Sequence, residues 1–153
     1  MVNVHFMTTK TEIGTPQFFY DILDKEFHFS LDVCASPHNA KCYRYITKEQ
    51  NCFTRSWRGE ICYMNPPYGR QIKSFIQKAY LEGCQAKTTV VCLVPSRTDT
   101  VWWHDYIMKA AEIRFIKGRL TFEGEMQPAP FPSALVVFRL HTTVVQFGTM
   151  GVR

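Results

Sequence analysis

The chain is poor in the features that would send it to a membrane or out of the cell. No apolar run among its 153 residues approaches the ~20 needed to cross a bilayer, so no membrane partner is expected. The opening Met1-Val2-Asn3-Val4-His5 lacks the basic stretch and long apolar segment of a secretory signal, and a cytoplasmic location is expected. The six cysteines, at 34, 42, 52, 62, 84 and 92, contain no Cys-x-x-Cys pair. Without that spacing or an oxidising compartment, buried free thiols are expected rather than zinc ligands or disulfides, and no metal is assigned. Internal repeats, low-complexity tracts and linkers are absent before the last dozen residues. The length fits one domain on a prior of roughly 100 to 200 residues, so residues 1–140 are expected to form a single domain and 141–153 a C-terminal tail. A large separate recognition domain is not expected alongside it.

Acidic residues are in the minority, 13 against 18 Lys plus Arg, for a net charge of +5. The surplus is uneven: residues 1–70 carry 8 basic and 7 acidic residues, leaving 10 and 6 for residues 71–153. A modest positive field concentrated in the second half suits a polyanion, although composition alone does not identify one. Hydrophobic residues make up 46% and charged residues 20%, a balance that supports a packed core.

Helical and strand patterns alternate along the chain. Thr15-Pro16 reads as a helix opening, hydroxyl at the N-cap and proline in the first turn, with Phe19, Leu23 and Phe27 on one face of a helix over 16–26. Residues 29–33 alternate apolar and polar as a strand, followed by the tight loop Cys34-Ala35-Ser36-Pro37. Residues 38–60 carry little periodicity; 43–47 suit a short strand and Trp57-Arg58-Gly59 a turn. The apolar run 61–64 leads into Asn65-Pro66-Pro67-Tyr68-Gly69. Beyond it, Ile72, Phe75, Ile76, Ala79 and Tyr80 trace a helix closed by Gly83. Residues 88–94 read as a buried strand stopped by Pro95, and Asp99 or Thr100 as the cap of a helix containing Trp102, Tyr106 and Ile107. Strands at 112–116 and 134–138, joined without a helix, complete an α/β sheet with an antiparallel edge.

Asn-Pro-Pro-Tyr is the segment least expected from an ordinary strand-ending turn. Two prolines fix such a turn, but a turn alone needs neither the asparagine before them nor the aromatic after them. The pattern suits chemistry on an amine. An exocyclic amino group on adenine is a poor nucleophile because its lone pair is delocalised into the ring. The amide oxygen of Asn65 and the carbonyl of Pro66 can both accept hydrogen bonds from it, drawing it toward tetrahedral geometry and exposing the lone pair to an electrophilic methyl group. Pro66 and Pro67 hold those acceptors still. Tyr68 can stack on a base that has left the duplex, which contributes roughly 1 to 3 kcal/mol toward the cost of flipping.

The segment resembles motif IV of S-adenosylmethionine-dependent amino methyltransferases. A wider resemblance, over about residues 14 to 139, is to the small phage and prophage DNA adenine methyltransferases, the Dam-like phage family. It is carried by Thr15-Pro16-Gln17, Leu31-Asp32-Val33-Cys34-Ala35, Asn65-Pro66-Pro67-Tyr68-Gly69, Val94-Pro95-Ser96-Arg97-Thr98-Asp99-Thr100, Arg114-Phe115-Ile116-Lys117-Gly118-Arg119-Leu120 and Ala129-Pro130-Phe131-Pro132-Ser133. The resemblance implies a compact Rossmann-like methyltransferase sheet, S-adenosyl-L-methionine as cofactor at the carboxyl ends of the first strands, and Asn65 at the end of the fourth. It implies a catalytic set Asn65, Pro66, Pro67 and Tyr68, and cofactor contacts from Thr15, Pro16, Asp32, Cys34, Ala35 and Asn65. DNA is the implied partner; the target sequence and oligomeric state are not legible.

Arg97, at a strand end, is a candidate beside the base pocket. Lys117 and Arg119, flanking Gly118, are candidates for phosphate contacts, and Phe131 for a second wall against the base. Each also has a plainer reading, as a solvated loop residue or, for Phe131, as core. Trp102-Trp103-His104 reads as helix packing, because this chemistry needs no strong base. The chain departs from many methyltransferases in lacking a glycine-rich turn after the first strand. For the acidic residue that commonly holds the ribose, Glu49 is the nearest candidate, with a solvated loop glutamate as its plainer reading. The interval before Asn65 is short for the usual two strands, which leaves room for an abbreviated fold. Methylation of RNA, of cytosine's amino group or of a protein glutamine shares the motif, and an inactive nucleic-acid-binding module is the alternative of a different class.

Overall fold

The computed structural model describes residues 13–141 and 144–152. The opening residues read for a signal segment lie outside the described residues, as do 142, 143 and 153 of the expected tail. No described helix is long and apolar enough to cross a membrane.

Helix α1 (Gln17–Phe27) buries Phe19, Tyr20 and Leu23. Its opening differs from the expected cap: Pro16 holds the N-cap position and no side chain caps the helix. The Pro16 carbonyl accepts the N–H groups of Phe19 and Tyr20, both at 3.1 Å, and the Thr15 hydroxyl is left for other partners. Strand β1 is only Leu31–Asp32, shorter than the alternation over 29–33 predicts. It lies at one edge of the sheet, paired with β2 (Ile61–Met64), while its other side meets Tyr45 through one isolated bridge to Asp32. Phe29 instead joins an aromatic cluster with Tyr20, Phe27 and Tyr63. The expected strand over 43–47 is thus reduced to that bridge. The expected turn at 57–59 is present, closed by Glu60 N–H to Trp57 C=O at 3.0 Å.

Helix α2 (Ile72–Gly83) follows β2 and buries Ile72, Phe75, Ile76 and Ala79, the face expected from their spacing. Gly83 ends the helix rather than following it, and the main chain of Phe138 packs against it. Strand β3 (Thr89–Pro95) is buried nearly throughout. Helix α3 (Val101–Asp105) is capped by the Thr100 hydroxyl, which accepts the N–H of Trp103 at 3.4 Å. It is shorter than expected, since Tyr106 leaves helical geometry and Ile107–Lys109 form a 3-10 turn. Strands β4 (Glu112–Lys117) and β5 (Ser133–Phe138) form the expected antiparallel pair.

The six strands form one mixed sheet in the order β1-β2-β3-β5-β4-β6. Strand β6 (Gln146–Gly151), within the stretch expected to be a tail, pairs parallel with β4 at the outer edge. The antiparallel strand β5 therefore lies inside the sheet, between β3 and β4, and not at its edge. Alternation along the strands sorts the core into two layers. Cys62, Met64, Val90, Cys92 and Val136 face α2 and α3, whereas Tyr63, Val91, Leu93 and Leu135 face α1. The connection from β1 to β2 contains a 3-10 turn, Cys52–Thr54, and loops, but no full strand. The fold is thus abbreviated there, and Asn65 follows the second strand of this sheet instead of a fourth. Because β1 to β4 run parallel, Asp32, Met64, Pro95 and Lys117 all end on one edge, where open α/β sheets bind ligands.

Candidate functional site

A cavity of about 660 Å³ opens at the carboxyl ends of β1 and β2. That volume lies in the range of small-molecule and cofactor sites, about 300 to 1,000 Å³. Thr15, Asp32, Cys34, Ala35, Asn65, Pro67 and Tyr68 line it, so segments far apart in sequence meet there. Pro16 and Pro66 are buried and fix the backbone of the neighbouring lining residues without lining the cavity themselves.

Asn65 is held through the nitrogen of its amide. Nδ2 donates to the Ile13 carbonyl at 2.5 Å and to the Thr15 hydroxyl at 3.1 Å. Its Oδ1 is buried with no hydrogen-bond partner. The orientation is dictated, because the reversed amide would set two acceptors, Oδ1 and the Ile13 carbonyl, against each other. An unsatisfied buried acceptor costs about 1–3 kcal/mol, so Oδ1 is poised for an incoming N–H.

Asp32 is 3% exposed at the start of the loop that walls the cavity. Its Oδ1 accepts the Cys34 N–H at 3.3 Å and its Oδ2 the Lys41 N–H at 3.0 Å. Burial pushes its carboxyl up to about 6, against the opposing pull of those two N–H groups and the Lys41 charge. In place of a glycine turn, the loop folds on a side chain: Asn39 Oδ1 accepts the Ser36 N–H at 2.7 Å, while the Ser36 carbonyl takes the N–H groups of Asn39 and Ala40. Burial pushes the Cys34 thiol up, and the neighbouring Cys52 reinforces this. All six cysteines are free thiols.

Tyr68 lies between cavity and core. Its hydroxyl donates to the Leu93 carbonyl at 3.3 Å, and its ring meets Phe131 and Phe122 edge-on at 5.6 and 6.2 Å. Burial pushes its phenol up. Phe131 is buried behind Tyr68 and does not line the cavity, so its contact is with the tyrosine. Glu49 is exposed and does not line the cavity either; Thr47, Lys48 and Asn51 from the same stretch do.

Arg97, Lys117 and Arg119 do not line the cavity but share its edge of the sheet. Arg97 follows the end of β3, its N–H on the Pro95 carbonyl at 2.8 Å. Lys117 ends β4, Gly118 turns the chain with φ of 91°, and Arg119 donates to the Ala129 carbonyl at 3.2 Å. Trp102 and Trp103 are buried, as expected for packing, whereas His104 is exposed with its ring bonded to the Thr98 carbonyl at 2.8 Å.

Several lining residues escaped the sequence reading. Tyr63 is one, although the two-residue period of a strand puts it on the face of Asn65. Lys41 is another; its ammonium bridges Gln17 Oε1 at 3.0 Å and Glu123 Oε1 at 2.7 Å, tying three segments together beside the cavity. The exposed Arg70 and Lys48 also line it, the first immediately following Gly69. Lys41 and Lys48 fall where the sequence has no periodicity to read.

Comparison with known proteins gives a consistent picture. The sequence profile of the family described as DNA N-6-adenine-methyltransferase (Dam) matches residues 7–142. The chain is 36% identical over 105 residues to a DNA N-6-adenine-methyltransferase of Haemophilus phage HP1, covering 67% of this chain and 60% of that protein. It is 33% identical over 94 residues to a protein of the same description from Escherichia phage T1, covering 61% of this chain and 39% of the relative. The match thus spans less than two thirds of either relative's length.

Proposed function

The chain belongs to the DNA N-6-adenine-methyltransferase (Dam) family, and from that premise we propose that it transfers a methyl group from S-adenosyl-L-methionine to the exocyclic amino nitrogen of adenine in DNA. The observation that carries this reading is the state of Asn65, its amide nitrogen engaged twice and its amide oxygen buried without a partner. An adenine amino group brings the N–H donor that this oxygen lacks.

The cavity suits the cofactor in volume and in its small-residue wall of Cys34, Ala35 and Ser36. Those residues, with Thr15 and the backbone fixed by Pro16, are the proposed contacts. Asp32 serves them by holding the loop through its two backbone hydrogen bonds. When bound, S-adenosylmethionine supplies a methyl group already activated by its sulfonium charge. The protein's task is to present the amine. Asn65 Oδ1 and the Pro66 carbonyl accept its two N–H groups, localising the lone pair on nitrogen, and Pro67 holds the turn rigid. Tyr68 offers a ring face to the base, with Phe131 and Phe122 fixing that ring from behind. The amine's surplus proton leaves to water after methyl transfer, so no strong base is required and His104 has no role in the step.

Reaching the amine requires the base to leave the helix. Lys117 and Arg119, with Arg97, are the proposed DNA-contacting residues, on the sheet edge that also carries Asn65. Arg70 and Lys48 add positive charge at the cavity itself. The test is incubation of the purified protein with S-adenosylmethionine labelled in its methyl group and duplex DNA, followed by mass spectrometry of the nucleosides. Label in N6-methyladenine is expected. Label in cytosine, RNA or a protein glutamine, or no transfer, overturns the reading.

A further inference from the structure

We propose that Tyr63, acting through Thr15, is a positioning residue that fixes the sense of the Asn65 amide; this rests on the methyl-transfer reading of the site. Tyr63 is 1% exposed on β2, its ring set edge-on to Tyr20 at 5.2 Å and tilted against Phe29 at 5.3 Å. Its hydroxyl is thereby delivered to one place, the Thr15 hydroxyl at 2.5 Å. Thr15, 2% exposed and not used as a helix cap, sits between that phenol and Asn65 Nδ2.

The chemistry of a hydroxyl gives this arrangement its consequence. Threonine has one proton to donate and lone pairs to offer. Either hydroxyl of this pair can donate; with Thr15 as the donor to Tyr63, it presents only lone pairs to Asn65 and accepts its N–H. Without the phenol, the Thr15 proton is free to turn toward an amide oxygen, and the reversed amide becomes tolerable at that contact. Reversal would aim an N–H donor at an adenine amine, itself a donor, and place Oδ1 against the Ile13 carbonyl. The Ile13 carbonyl and the Thr15–Tyr63 pair therefore select the same sense from two sides.

The test compares Tyr63→Phe, Thr15→Val and Thr15→Ser. Tyr63→Phe and Thr15→Val should each lower kcat about 10-fold with KM for DNA unchanged, a loss confined to the transition state, and Tyr63→Phe, which keeps the Thr15 side chain at the cavity, should leave KM for S-adenosylmethionine unchanged as well. Thr15→Ser, which keeps the hydroxyl, should restore near-normal kcat. The double variant Tyr63→Phe/Thr15→Val should be no worse than Thr15→Val alone, because the two act in series. Normal kcat in both single variants, with Asn65→Ala inactive, overturns the proposal. A second readout needs no turnover: the side-chain amide protons of Asn65, followed by NMR in the protein without ligand, should exchange faster in Tyr63→Phe and Thr15→Val. Unchanged exchange overturns the positioning role. A wild-type protein that methylates nothing overturns only the methyl-transfer reading, and the amide measurement then decides this one.

Discussion

The side chain of Asp32 closes a loop on the main chain of Lys41, nine residues away, at 3.0 Å. A buried carboxyl is thus an organiser of the cavity wall, and burial holds it at about 6 instead of its ordinary 3.8. Between those values the folded state binds a proton that the unfolded chain has already lost. Stability contributed by this group is therefore full below pH 3.8 and is lost as pH rises through about 6, a change of about 3 kcal/mol. Asp32→Asn, neutral at every pH, should remove that component. Urea unfolding at pH 4.5 and pH 7.5 should show the wild type losing more stability across the interval than the variant; equal changes would place the Asp32 titration elsewhere.

Gly83 allows a close approach between the backbones of α2 and β5. A Cβ there would lie 2.6 Å from Phe138 Cβ and 2.9 Å from its carbonyl carbon and oxygen. Those atoms belong to the main chain of β5 or sit next to it, so they cannot swing aside. Gly83→Ala should destabilise the fold by about 1–3 kcal/mol despite its better helix propensity, read as a lower urea midpoint at unchanged slope.

What the sequence made legible is what local chemistry decides. Asn65-Pro66-Pro67-Tyr68 speaks through adjacent residues, the buried face of α2 through its period, and β3 and β5 through continuous apolar runs. Strand β6 escaped notice because Gln146-Phe147-Gly148-Thr149-Met150-Gly151 has two glycines and little alternation, and its six-residue pairing with β4 supplies what its own propensity does not. The stretch from 38 to 60 is ordered by Asn39, Gln50 and Asn51 accepting backbone N–H groups, contacts without a period. Thr15-Pro16 does mark a helix start, but nothing near it in sequence announces that Tyr63, 48 residues on, takes the hydroxyl.

Removing the Asn65 amide tests the acceptor directly. Asn65→Ala takes away Oδ1 and the two bonds of Nδ2, and turnover should fall by on the order of 100-fold or more, the scale of a positioned transition-state hydrogen bond. Affinity for S-adenosylmethionine, measured by calorimetry, should change little. Near-normal turnover would mean that the amine is held by other groups.

Lys117 and Arg119 bear on DNA binding without touching the cavity. Each phosphate neutralised contributes about 0.9 to the slope of log affinity against log salt. The double change to Ala should weaken binding across all sequences and flatten that slope by about 2, leaving cofactor affinity intact. Arg119→Lys serves as a control for the Ala129 tether, since it keeps the charge but loses the guanidinium geometry. Wild-type DNA affinity in the double variant would move the phosphate surface elsewhere, with Arg70 and Lys48 the next to test.

Tyr68 combines a ring and a hydroxyl whose contributions can be separated. The hydroxyl bond to Leu93 is long, 3.3 Å, so Tyr68→Phe gives up little and keeps both the face offered to the base and the edge contacts with Phe131 and Phe122. It should turn over DNA at close to the wild-type rate. Tyr68→Leu keeps apolar volume while removing the aromatic face, so it should cut turnover with only a small change in overall DNA affinity, which phosphate contacts dominate. Fluorescence of 2-aminopurine at the target position follows extrusion of the base: it should rise with wild type and Tyr68→Phe and rise less with Tyr68→Leu. Phe131→Leu, which leaves the cavity lining unchanged but frees one side of the Tyr68 ring, should fall between them. If Tyr68→Leu supported full extrusion and turnover, stacking on this residue would play no part in holding the base, and Tyr68 would be a core residue at the margin of the site.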